Sequence, residues 1–257
     1  MSVFDPYVAR LREYESDLVS KGRDVRVWFA DSPSVPILTS GQAAASLILK
    51  ENTAIELGGP RTVGTSFAMC IEDPDQLCDG RIALIGPDVP DLCKASGGCV
   101  PFGQVILAAG PRMTIDIQPR LEREQHNAMR IPGYMVRGAG DRIWARISRE
   151  ACDSGFSFRG LGGAVISRIR VGVAETTAVE IMFVTSNPED VAGLENIGSQ
   201  VRKLSHDLRR QRLRQVAEGV YECETAISCD VCPDSPVCAE IRQVLVIRKK
   251  ADELRQI

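Results

Sequence analysis

The sequence predicts an α/β protein, a mixed and largely buried sheet with flanking helices, followed by a small cysteine-rich C-terminal segment. Three observations predict it. Short apolar runs punctuated by glycine, TAIELGGP, SFAMCI, RIALIGPD and GQVILAAGP, have the continuous hydrophobicity of strands covered on both faces. Stretches of helical period interleave with them or follow them, at IDIQPRLEREQHNAMR, at LGGAVISRIRVG and from Pro188 to Glu218. Four of the nine cysteines, Cys223, Cys229, Cys232 and Cys238, fall within the single stretch YECETAISCDVCPDSPVC.

Taken in chain order, Phe4, Tyr7, Val8, Leu11, Tyr14 and Leu18 recur at helical spacing, with Asp5 as the cap and Pro6 in the first helical position. Lys21-Gly22 ends this helix, and DVRVWFAD then sets Val25, Val27 and Phe29 on one side of a strand. The loop Ser32-Pro33-Ser34-Val35-Pro36 marks a boundary. From Asn52 the four apolar runs read as consecutive strands of one sheet, and AVEIMFVTS supplies another strand. ELGGPRTVG reads as a strand ending in a tight turn. The alternative, a phosphate cradle from Gly58, Gly59, Gly64 and Arg61, lacks both the P-loop Lys-Ser/Thr and the G-x-G-x-x-G spacing. GGCVPFGQ and RGLGG read as turns on the same grounds. The division that follows is 1–50 as a helix and strand lead-in, 51–220 as the α/β domain, and 221–257 as the cysteine segment with a C-terminal helix.

The balance of 31 Lys+Arg against 34 Asp+Glu gives a net charge of −3, so no positive field exists to hold nucleic acid or an anionic membrane. No run approaches the roughly 20 apolar residues of a spanning helix, and the polar, acidic N-terminus is unlike a signal peptide. The expected location is cytoplasmic. An odd number of cysteines, five of them scattered singly, fits reduced thiols better than a disulfide framework.

The cysteine stretch has the spacing C-x5-C-x2-C-x5-C. A central C-x2-C lets two sulfurs chelate one centre while the outer pair completes four-fold thiolate coordination, which suits a [4Fe–4S] cluster or zinc. Pro233 and Pro236 break helix and oblige the chain to loop, as metal-binding knuckles do. An iron–sulfur cluster is the first reading, with structural zinc and unmetallated thiols as alternatives. The following segment, AEIRQVLVIRKKADELRQ, carries Ile241, Val244, Leu245 and Ile247 at helical spacing and is expected to cover the cysteine loop.

Elsewhere, Arg137, Arg142 and Arg146 gather near Trp144, and a stacking indole among guanidinium groups makes this the better candidate anion site. An ordinary strand with one polar face explains the same pattern, because alternation puts Arg142, Trp144 and Arg146 together. The basic run of Arg202, Lys203, Arg209, Arg210, Arg212 and Arg214 could embrace phosphates or an acidic partner, yet reads first as a solvated helix. His126 and His206, the only histidines, leave little for His-based catalysis. Cys70, Cys78, Cys93, Cys99 and Cys152 read as core or loop thiols, with Cys93 and Cys99 the pair to watch for a second metal or redox role.

These pieces together resemble the β subunit family of the carbon monoxide dehydrogenase/acetyl-CoA synthase complex, whose members condense a methyl group, CO and coenzyme A. The resemblance runs through IELGGPRTVG at 55–64, DGRIALIGPDV at 79–89, FGQVILAAGPRMTIDIQPRLERE at 102–124 and GAGDRIWARISREACDSGF at 138–156. In the last, Asp141, Trp144, Arg146 and Ser148 keep an R-D-x-x-W-x-R-x-S core whose leading arginine is Gly140 here. The resemblance implies a fold like the central domain of acetyl-CoA synthase, and it identifies Cys229, Cys232 and Cys238 with cysteines of the family's metal cluster. Cys223 could then serve as a substitute fourth ligand. The family's C-G-C tripeptide, which holds the distal nickel, does not occur in this sequence; nickel-based acetyl synthesis is therefore not expected.

The expected function is an iron–sulfur accessory or electron-relay component of anaerobic one-carbon metabolism that docks on, or helps to mature, a larger metalloenzyme. Two alternatives stand beside it. One is a subunit taking part in acyl transfer to coenzyme A, with metal ligands completed by another chain. The other is a zinc-stapled domain that binds coenzyme A or another protein.

Overall fold

A computed structural model describes residues 3–30, 48–95, 98–126, 131–139, 142–217, 235–241, 243–244 and 247. The fold is α/β, with two mixed sheets and flanking helices. Helix α1 (Asp5–Ser20) buries Val8, Leu11 and Leu18, with Phe4 buried just before it. Phe4 occupies the cap position and Asp5, the expected cap, already lies within the helix, one residue past it. Strand β1 (Val25–Phe29) follows the predicted alternation, but it is Trp28 that packs against the core, while Val27 and Phe29 stay exposed. The predicted boundary at 32–36 lies outside the described residues.

The apolar runs do form strands, but they divide between two sheets. In the five-stranded sheet, order β1-β4-β9-β6-β3, lie β3 (Gly64–Ile71), β4 (Arg81–Ile85), β6 (Phe102–Ala109) and β9 (Ala178–Val184). β3 pairs parallel with β6 and β4 with β9, whereas β1 meets β4 and β6 meets β9 antiparallel. TAIELG, expected beside SFAMCI, instead forms β2 (Thr53–Gly58) of a second sheet, order β5-β2-β8-β7. Its companions are β5 (Gly98–Val100), β7 (Tyr134–Ala139) and β8 (Arg142–Ser148).

The reason is steric. Gly58 has φ +63°, and a Cβ built there falls 2.3 Å from the Ile143 carbonyl oxygen; one at Gly64 falls 2.4 Å from the same oxygen. Two glycines let the strand ends cross over one carbonyl, and the chain leaves for the other sheet instead of folding back as a hairpin.

Both faces of the five-stranded sheet are covered, as the continuous apolar runs require. On one face Val179, Ile181 and Phe183 join the main core with helix α3 (Gln118–His126) residue Leu121 and with Leu161, Val165 and Ile169 of helix α5 (Phe158–Gly172). Phe158 and Phe183 lie with ring centroids 5.0 Å apart, and Phe102 stacks on both. On the other face α1 brings Arg12 to the buried Glu180, and Tyr14 donates to the Asp190 carbonyl in helix α6 (Pro188–Ala217). At the β3 edge the buried amide of Gln118 takes the part of a neighbouring strand: Oε1 accepts from the Cys70 N–H at 2.9 Å and Nε2 donates to the Ala68 carbonyl at 2.7 Å.

Two predicted turns proved to be regular structure. RGLGG is the first part of α5, where Gly162 lets the helix settle on Ile82, 2.7 Å from where a Cβ would sit. The described part of GGCVPFGQ, from Gly98 on, runs from β5 into β6. Two short helices complete the second sheet's surroundings: α2 (Val89–Lys94), closed by a capping box from Asp88, and α4 (Arg149–Asp153), capped by Ser148. Asp88 also accepts from the Phe158 N–H at 2.8 Å, so one carboxylate starts both α2 and α5.

By internal contacts the chain forms two units, 1–202 and 203–257. In the second, the described residues are helical, at 203–217 and again at 235–241, 243–244 and 247. Pro236 lies within the described helical stretch 235–241, and Pro233 lies outside the described residues.

Candidate functional site

Strand β8 alternates as RIWARIS predicts: Ile143, Ala145 and Ile147 are buried, and Arg142, Trp144 and Arg146 share the opposite face. β2 does the same, turning Ile55 and Leu57 inward and Glu56 outward. The register sets Glu56 directly across from Arg146 on one side and from Cys99 on the other. Arg137 of β7 stands across from Trp144.

Glu56 collects these groups. Its Oε1 accepts from Trp144 Nε1 at 2.9 Å and from Arg146 Nε at 3.1 Å, and its Oε2 accepts from Cys99 Sγ at 3.3 Å. The Arg146 guanidinium lies 4.5 Å above the Trp144 ring and donates to the Ile48 carbonyl at 3.0 Å. Gly58 opposite Trp144 and Gly59 beneath it leave room for the indole; a Cβ at Gly59 would come within 2.6 Å of the ring. Sequence reasoning brought Trp144 and Arg146 together but missed Glu56. The available signal was a lone acid in the middle of an apolar strand, which on a packed sheet needs a partner across the ladder.

Of the four residues predicted to bind an anion, the structure therefore unites Trp144 and Arg146 around an internal carboxylate and leaves Arg137 and Arg142 exposed on the same sheet face. Partial burial works to raise the Glu56 carboxyl, but the hydrogen bonds from Cys99, Arg146 and Trp144 outweigh it and hold the group below its ordinary value of 4.5. Cys99 moves the other way. Burial and the Glu56 carboxylate raise its thiol, and the nearby Arg61 opposes them only in part, which makes Cys99 a poor nucleophile.

A carboxylate depressed on folding stabilises the fold fully above its unfolded value, and the contribution is lost as pH falls through the lower folded value. In a Trp28→Phe background, where Trp144 is the remaining indole, emission is expected to stay constant down to about pH 4.5 and to change only below it. Glu56→Gln should abolish that acid transition. A transition at or above the ordinary value would contradict the arrangement.

The predicted Cys93 and Cys99 pair is not formed: Cys93 is bonded to Cys152 as a disulfide, Cα–Cα 6.3 Å. The expectation of reduced thiols throughout is corrected at these two positions, because the fold brings α2 against α4 across a sequence separation of 59. Of the four predicted metal ligands, Cys238 is half-buried in the 235–241 helical stretch, and Cys223, Cys229 and Cys232 lie outside the described residues. Among the described residues no group of three or more His, Cys, Asp or Glu side chains is placed to hold a metal ion. Of the basic run, Arg202 donates to Glu195 at 2.6 Å and to the Ser66 carbonyl at 3.2 Å. His126 closes α3, and exposed His206 lies 3.7 Å from Asp207.

The fold and this polar face define a two-sheet α/β domain with an internally paired carboxylate on one sheet. The chain belongs to the CO dehydrogenase/acetyl-CoA synthase complex beta subunit family, whose model matches residues 35–191. That match takes in Glu56, Cys93, Cys99, Trp144, Arg146 and Cys152 and ends before Cys223. The chain is similar to the acetyl-CoA decarbonylase/synthase complex subunit beta of Methanothermobacter thermautotrophicus, at 26% identity over 212 residues, 79% of this chain and 44% of that one. It is 29% identical over 138 residues to the subunit of the same name from Archaeoglobus fulgidus, covering 53% of this chain and 26% of the relative. It is 27% identical over 124 residues to the carbon monoxide dehydrogenase/acetyl-CoA synthase subunit alpha of Moorella thermoacetica, covering 48% of this chain and 17% of the relative. The chain thus spans less than half the length of the relatives it matches. No helix among the described residues is long and apolar enough to cross a membrane.

Proposed function

We propose that this chain is an iron–sulfur accessory or electron-relay component, related to the acetyl-CoA synthase β subunit, that docks on or helps to mature a larger metalloenzyme. The observation that carries the proposal is the thiolate set Cys223, Cys229, Cys232 and Cys238, at C-x5-C-x2-C-x5-C, in a chain of this family. Four soft, monoanionic donors fit a [4Fe–4S] cubane, whose irons they fully ligate, and the bound cluster supplies one-electron transfer without an open metal position. Exposed Val237, Val244 and Ile247 beside the last of these cysteines supply an apolar face of the sort a docking helix uses.

A second reading, participation in acyl transfer to coenzyme A with ligands completed by another chain, draws support from the Trp144 face. Arg137 and Arg142 are exposed there to meet phosphate oxygens, although Glu56 already engages Arg146.

Metal and acid-labile sulfide analysis of protein purified without oxygen decides between these readings. About four irons and four sulfides per chain are expected, with both lost in a Cys229→Ala, Cys232→Ala double variant. One zinc without sulfide would replace the proposal with a structural staple, and nickel retained beside iron would favour the second reading.

A further inference from the structure

The disulfide between Cys93 and Cys152 ties α2 to α4. Cys70, Cys78 and Cys99 of the same unit are thiols, so this is not the disulfide framework of a secreted scaffold. A bond that forms selectively among retained thiols is the pattern of a redox-responsive pair. Cys93 and Cys152 are each half-buried at the margin of the core, within reach of a small reagent.

Their place in the fold gives the bond a specific leverage. Helix α2 leads toward β5, and β8 leads directly into α4; β5 and β8 are the two neighbours of β2. These strands carry Cys99 on one side and Trp144 with Arg146 on the other, all three converging on Glu56. Cys93 and Cys152 pack with the core that contains Ile55 and Leu57, whereas Glu56 points from the opposite face of β2. The disulfide and the Glu56 carboxylate thus fasten the same three strands from opposite sides. Helices of six and five residues do not persist unaided, so the covalent link bears directly on how firmly α2 and α4 hold their strands.

We propose that Cys93 and Cys152 form a reversible redox clasp, opened by a dithiol and closed by a low-molecular-weight disulfide, that sets the order of the Glu56–Trp144–Arg146–Cys99 cluster. In opening, a reagent thiolate attacks one sulfur and the other cysteine leaves as a thiolate and takes a proton. The second reagent thiol then displaces the first cysteine. The protein gains two electrons and two protons, and the dithiol becomes a cyclic disulfide. In closing, a cysteine thiolate attacks the oxidised reagent, the second cysteine displaces it from the mixed disulfide, and the reagent takes up the two electrons and both cysteine protons to become the dithiol. The clasp is independent of what residues 223–238 bind.

The test uses the full chain carrying Trp28→Phe, equilibrated without oxygen in graded mixtures of reduced and oxidised dithiothreitol. Acid quenching, alkylation and peptide mapping give the bonded fraction, and Trp144 emission and hydrogen–deuterium exchange are read on the same samples. Emission is expected to follow the bonded fraction, with exchange at least about tenfold faster at 89–95, 98–100 and 149–153 in the open form and unchanged in β3, β6 and β9. Resealing in the oxidised mixture should restore both. A Cys93→Ser, Cys152→Ser double variant should keep the open-form emission in every mixture; if it does not fold, the titration of the natural pair decides alone. The clasp is overturned if the bond neither opens nor recloses in the folded chain. It is equally overturned if opening leaves emission and exchange untouched, or if exchange rises throughout the five-stranded sheet, which would make the bond a global staple.

Discussion

Glu180→Ala is expected to destabilise the protein by about 3 kcal/mol, read as a lowered urea midpoint at unchanged slope. Glu180 is 2% exposed in the middle of β9. Both of its oxygens receive the Arg12 guanidinium, at 2.7 and 2.8 Å, and it further accepts from the Cys78 N–H and from Arg81 at 3.5 Å. Arg81 is itself paired with Glu15 of α1. Removing the carboxylate strands the Arg12 guanidinium and the Cys78 amide while Arg81 keeps Glu15, and breaking a buried pair costs about 3–5 kcal/mol. The low end applies because the Arg12 side chain is 37% exposed and can turn to water. Glu180→Gln keeps an acceptor for Cys78 and should cost less. A loss below about 1 kcal/mol for the alanine variant, the size of a surface pair, would show that this network does not fasten α1 to the sheet.

Gly58→Ala is the second large effect. The left-handed conformation at φ +63° costs a residue with a Cβ about 1–2 kcal/mol. The new methyl also falls 2.3 Å from the Ile143 carbonyl oxygen and 3.1 Å from the Gly64 Cα, backbone atoms that cannot rotate away. Adding overpacking of about 1–3 kcal/mol gives a total near 3 kcal/mol. Gly22→Ala is the control: φ is +73° but nothing lies within 4 Å of the added carbon, so only the conformational cost of about 1–2 kcal/mol remains. The Gly58 variant should also disturb the near-ultraviolet signal of Trp144, since Ile143 accepts from the Gly59 N–H that supports the indole. Equal losses at both glycines would mean that the crossing over Ile143 is not tight.

Both sites bear on what the sequence makes legible. Periodicity locates the strands and the long helices because it reports which faces are covered, a local property of each segment. Sheet membership is not local. Nothing in TAIELGGP distinguishes a hairpin partner of SFAMCI from a strand of another sheet; the distinction arises where Gly58 and Gly64 meet one carbonyl of β8, more than 75 residues away. The glycines of RGLGG suit a turn as well as a helix, and what places them in α5 is helix-on-sheet contact at Gly162, which overrides propensity. In the candidate site, alternation aligned Trp144 with Arg146. Their acceptor Glu56 comes from the neighbouring strand, and pairing between distant strands leaves no mark in either segment alone. The Cys93–Cys152 bond is hidden for the same reason.

Gln118 has a bearing on how the protein behaves in crowded solution. Its amide meets one donor and one acceptor on the outer edge of β3, as a rung of an adjoining strand would. A foreign chain seeking to extend the sheet from this end must first evict a fully buried side chain and strip two hydrogen bonds, so the five-stranded sheet cannot serve there as a template for edge-to-edge polymerisation.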